Sequence, residues 1–310
     1  MKLVKPHAQI MLFNNMLNTF SVDANRYPFT HEEILEHIYQ QIEIAGRTCV
    51  CYHSNDHISP STGKLFVEKV INEKQYEILE AGTVYLEITE DDNCDVDTYI
   101  YNFPQTVVEY HDDVHPHVYA ITTNYRIMFE HDRLDDLKYL CYPTKWHEKR
   151  IPVKITCDCN VLPDLLSHRE FSFVHDFSGD CNYESKFNSN DITYVIPIYC
   201  KQILLQYEKI NDILLSDSDI DNFTGNDKNF LKNIQSYESY YQNLISDGWR
   251  HQEVQSLLPT ALKRDVVMVG FLSDWIDKFL PFGISMSVQQ QTRWLSFMIY
   301  EQFKKSNYIK

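Results

Sequence analysis

Glycine is scarce in this chain: there are eight in 310 residues, and none falls at the spacing of a dinucleotide-binding loop or a P-loop. Both loops need glycine so that backbone amides can close around phosphate without a side chain in the way. Rossmann and Walker-type architectures are therefore excluded, and any phosphate must be held by side chains or helix ends. The chain also lacks a G-x-S-x-G nucleophile elbow and an H-E-x-x-H zinc helix.

With 44% hydrophobic and 14% aromatic residues, the chain can bury a sizeable core. We expect a single domain over residues 1–310, with an α/β part to about residue 200 and a mainly helical part over about 201–310. A net charge of −16 with scattered basic residues opposes nucleic acid and points to small molecules or protein partners. No window approaches the roughly 20 apolar residues of a membrane span, and the start MKLVKPHAQIMLF has too short an apolar run for a signal peptide. Eight cysteines in such a chain read as buried thiols in a reducing compartment. The expected location is the cytoplasm, or a host's cytoplasm if the AT-rich residue usage reflects a phage.

Periodicity supplies the elements. Thr30 and Glu33 make a capping box for a helix with Ile34, Leu35, Ile38, Ile42 and Ala45 on one face and Gly46 as its stop. A second helix runs from Ser61 or Thr62 to Ile71. Strands are expected at Thr83 to Thr89, Val118 to Phe129, Ile151 to Cys157 and Ile192 to Ile198, with Asn160 capping a short helix through His168. Beyond Ile203 the pattern reads as helical, broken by a solvated acidic loop at Ser216 to Asp227. Helices follow at Ser239 to Ser246, Gln252 to Leu258, from Pro259 through Phe279, and at Gln289 to Lys305, the last with a packing or subunit-interface face at Trp294, Leu295, Met298, Ile299 and Phe303. The fold class is α+β: a mostly antiparallel sheet flanked by helices.

Three groups of residues could carry chemistry. His111, Asp112, Asp113, His115 and His117 could ligate a divalent metal, but they lie in one run; a polar loop is the better reading, since metal sites draw ligands from separate elements, and we expect no metal site. Cys49 with Cys51, and Cys157 with Cys159, are closer together than zinc-binding pairs and read as buried thiols. His168 and Arg169 end a short helix before Phe171-Ser172-Phe173, where both could face a cleft; arginine would serve an anionic ligand through its planar fork of donors. No residue is assigned a catalytic role.

From Val153 to Pro197 the order of residues resembles the signature region of the flavin-dependent thymidylate synthases (ThyX-like proteins): Cys157-Asp158, Val161, His168-Arg169, Ser172-Phe173, Asn182-Tyr183 and Ile192 to Pro197. Glu33 to Tyr52, Leu79-Glu80 and Gln252 to Trp275 resemble further family segments. The resemblance implies a reaction in which FAD and NADPH drive reductive methylation of dUMP to dTMP with methylenetetrahydrofolate, in a homotetramer or an assembly with a paralogue. Carried over residue by residue, it implies flavin contacts from His168 and Arg169 and a nucleotide contact from Asp176.

The departures fall on ligand positions. Family arginines are replaced by Ser167, Gly179, Gln255, Ser273 and Phe282, the motif serine by Phe177, the L-E-H histidine by Ala81, and an asparagine by Phe271. Each lost charged hydrogen bond to phosphate costs about 1.5–3 kcal/mol. The sequence therefore implies a divergent family member with impaired or altered catalysis, or an inactive one serving as a binding, regulatory or structural subunit whose cleft is filled by aromatic rings.

Overall fold

Thr30 and Glu33 exchange the hydrogen bonds of a capping box, Glu33 N to Thr30 Oγ1 at 3.2 Å and Thr30 N to Glu33 Oε2 at 2.8 Å, and so start helix α1 (His31–Cys49). The computed structural model describes residues 1–11, 30–49, 62–89, 102–111, 117–175, 192–250, 253–254 and 257–309. Gly46 does not stop α1. It lies within the helix, where an added Cβ would stand 2.5 Å from Phe66 Cζ, so its role is the close approach of α2 (Gly63–Asn72).

The chain then enters β3 (Thr83–Thr89), which pairs antiparallel with β5 (Val118–Asn124), itself paired antiparallel with β4 (Val107–His111). The expected strand to Phe129 ends five residues early. Asn124 accepts a hydrogen bond from Ile127 N at 3.1 Å and caps helix α3 (Tyr125–Glu130).

A four-stranded antiparallel sheet forms the centre, in the order β2 (His7–Ile10), β6 (Arg150–Asp158), β10 (Lys263–Phe271), β7 (Ser172–His175). One face presents Val174, Val267 and Val269 to the core beneath α1. The other presents Ile151, Val153, Ile155 and Met268 to α9 (Gln290–Lys305) and to α8, a helical run composed of Leu272–Asp274, a π-helical turn at Trp275–Phe279, and Leu280–Ile284. Between β6 and β7, α4 (Leu162–Leu166) has Val161 rather than Asn160 at its N-cap position; Asp158 receives the Asn160 and Val161 amides at 2.9 and 3.3 Å.

A third sheet holds β8 (Thr193–Val195) parallel to β1 (Lys2–Val4), which pairs antiparallel with β9 (Asp212–Leu214). It packs with α5 (Lys201–Gln206), α6 (Asp217–Ile220) and α7 (Gly225–Ser246). The acidic stretch at 216–227 is not a solvated loop throughout. Ile220 and Phe223 are buried, and buried Asp227 accepts the Ile203 amide at 2.9 Å.

The architecture is α+β. The part after residue 201 is less helical than its sequence suggests, because the first part of the helix expected from Pro259 through Phe279 is replaced by β10, the strand between β6 and β7 in the central sheet; from Leu272 to Phe279 the chain is helical as expected. Among the described residues no helix is long and apolar enough to cross a membrane.

Candidate functional site

The turn after α4 directs His168 inward and Arg169 outward. Arg169 is exposed. The His168 ring lies 4.8 Å from Phe282, 5.2 Å from Phe279 and 6.1 Å from Phe171, all in edge-to-face arrangement. Its Nδ1 stands 3.4 Å from Glu170 Oε1, and its Nε2 is buried with no hydrogen-bond partner.

The layer beneath is rigid. Phe171 packs 4.7 Å from Trp275, whose indole donates to Ile151 O at 3.0 Å and which is fully buried. Phe171 lies directly over Gly270 of β10, where an added Cβ would fall inside van der Waals contact of Phe171 Cδ1 and Cε1. That glycine is needed because the ring occupies the space of a side chain.

Glu170, beside His168, belongs to a mainly negative group of charges. Glu170 and Glu148 both act on Lys278, which is bound to Asp274 at 2.6 Å, while Glu148 accepts from the Ser273 amide at 3.2 Å. Three carboxylates thus face one engaged lysine. The residue aligned with a lost family arginine, Ser273, holds an acid rather than an anionic ligand.

A second polar centre, which the sequence does not announce, lies between the central sheet and the β3-β5-β4 sheet. Arg150, buried at the start of β6, donates to Ser172 Oγ at 2.7 Å and makes longer bonds to Glu80 O, Thr83 Oγ1 and Thr123 O. Ser172 donates to Gln105 Oε1 at 2.7 Å, which also accepts from Asn124 Nδ2 at 3.1 Å. Gln105 has φ +60°, a left-handed backbone uncommon for a side chain of this kind. The Glu80 carboxylate is paired with Arg126 at 2.6 Å and acts on Arg150 only through space, without a hydrogen bond between them, and burial lowers the Arg150 pKa to about 10. The only sequence signal is a basic residue opening a strand whose next three residues, Ile151-Pro152-Val153, are apolar.

Other sequence candidates are dispersed. Asp176, Phe177, Gly179, Cys51 and Gln255 lie outside the described residues, as do Asp112, Asp113 and His115. His117 Nδ1 meets Tyr110 OH at 2.9 Å, while His111 stacks 5.0 Å from Trp146, so these two rings have separate partners. Among the described residues no group of three or more His, Cys, Asp or Glu could hold a metal ion. Cys157 is buried and its thiol is pushed well up by burial; Cys159 receives Arg264 Nε at 3.4 Å.

No protein-family model matches this chain, and no curated protein sequence does. Among solved structures it is similar to the flavin dependent thymidylate synthase ThyX from Helicobacter pylori, complexed with FAD and dUMP. The TM-score is 0.36 and the identity 11%, over 51% of this chain and 70% of that one. A likeness this loose carries no argument for the chemistry of this chain.

Proposed function

We propose that this chain is a divergent relative of the flavin-dependent thymidylate synthases whose ligand cleft has become packed protein, and that it acts as a non-catalytic binding or structural subunit. The observation that carries the reading is the seating of His168 among Phe171, Phe279 and Phe282. Phe282 stands where the family pattern has an arginine, and its ring fills space beside the histidine that the resemblance assigns to the flavin.

The described residues do not fit FAD. A flavin dinucleotide carries two phosphates, whereas His168 has the Glu170 carboxylate beside it, and the lysine on which Glu170 acts, Lys278, is already paired with Asp274 and also under the influence of Glu148. Arg169, the remaining motif cation, points to solvent. The same surroundings disfavour dUMP, NADPH and methylenetetrahydrofolate, all anionic. The Arg150 centre offers no substitute, because its guanidinium is enclosed by Ser172 and backbone carbonyls.

Titration calorimetry with FAD and with dUMP tests the proposal. It expects no heat of saturable binding for either ligand at micromolar protein. Saturable dUMP binding lost in Arg169→Ala would overturn it and restore the synthase reading.

A further inference from the structure

Helix α9 buries Leu295, Ile299 and Phe303 against the sheet and leaves an aromatic face outward. Trp294 is 45% and Phe297 48% exposed, and together with Met298, Glu301, Gln302 and Lys305 they line a shallow groove of about 520 Å³. Two large aromatic rings held half in water on a rigid helix mark an interaction surface.

The charges on this face are arranged to complement themselves. Arg293 and Glu301 stand four residues before and after Phe297, which places them about 6 Å along the axis in opposite directions and about 40° to either side of it. Neither forms an ion pair among the described residues; Arg293 Nη1 contacts Met286 Sδ at 2.9 Å. When a second α9 lies antiparallel with Phe297 at the centre, each Arg293 falls level with the other copy's Glu301. Phe297 then meets Phe297, and Trp294 falls level with Tyr300.

We propose that this face of α9 pairs two copies of the chain, helix against antiparallel helix, about a two-fold axis beside Phe297. The interface is isologous, each Arg293 meeting the partner copy's Glu301. This pairing does not depend on the fate of the His168 cleft.

Sedimentation velocity over a range of concentrations, on the full chain, tests it. The wild type is expected to form a reversible dimer, and Phe297→Glu to raise its dissociation constant about thirtyfold or more. Since Phe297 is half exposed, circular dichroism and the melting temperature should be unchanged in that variant. Glu301→Arg should weaken the dimer by setting arginine against arginine, and adding Arg293→Glu should restore it. A wild type that stays monomeric, a Phe297→Glu variant that associates as well as wild type, or a charge exchange that fails to restore the dimer would each overturn the proposal.

Discussion

Gly270→Ala should unsettle the His168 site through a single methyl group. The new Cβ falls inside van der Waals contact of Phe171 Cδ1 and Cε1 and 3.1 Å from its Cγ. Phe171 cannot swing clear, because Trp275 blocks it at 4.7 Å and is itself tied to Ile151 O, while Phe279 stands at 6.0 Å. Overpacking of this kind costs about 1–3 kcal/mol. In a chain of this size that lowers the melting temperature by about 2–6 °C. Phe171→Leu alone opens space and is also destabilising. In the double variant the smaller side chain accommodates the methyl, so the combined cost should fall short of the sum by about 1 kcal/mol or more. Urea unfolding of the wild type, both single variants and the double variant measures this directly. A neutral Gly270→Ala, or strict additivity in the cycle, would refute the packing account.

Two further predictions concern buried charge. His147 accepts the Thr144 amide on Nδ1 at 3.1 Å and donates from Nε2 to Leu86 O at 3.0 Å, so it is buried in its neutral form; burial lowers its pKa, with Leu86 O opposing and His111 adding to the shift. The unfolded state therefore binds the extra proton first, and His147 should make stability fall as pH drops below about 6.5, by up to about 1.4 kcal/mol per pH unit; His7, also shifted down by burial, acts in the same direction, so His147→Asn should reduce the slope in urea titrations from neutral to mildly acidic pH. Arg150→Ala should cost roughly 2–4 kcal/mol, because it leaves a cavity and strands the Glu80 and Thr123 carbonyls, while Arg150→Lys should recover only part of the loss, since an ammonium cannot reproduce the planar fork; thermal unfolding of the two variants decides it.

What the sequence makes legible follows its periodicity. Helices α1 and α2 are announced by apolar residues at helical spacing, and β3 by the alternation of Val84, Leu86 and Ile88. Strand β10 is not legible, because Val266-Val267-Met268-Val269 is buried on both faces, and an apolar run without alternation reads equally as helix. The end of β5 at Asn124 is hidden for a different reason: only the folded chain shows that its side chain caps α3. At the site, the resemblance drew attention to His168, but its Phe279 and Phe282 neighbours lie more than a hundred residues away, and no local pattern shows that they meet it. The Arg150 network is equally non-local, joining residues from Glu80 to Ser172.

The central claim is that the cleft beside His168 is packed with aromatic rings and holds no flavin. The most direct test is the visible absorption spectrum of the purified protein, recorded before and after incubation with FAD and removal of free ligand. The account predicts a colourless protein in both states. A retained flavin band, diminished by Arg169→Ala, would contradict it.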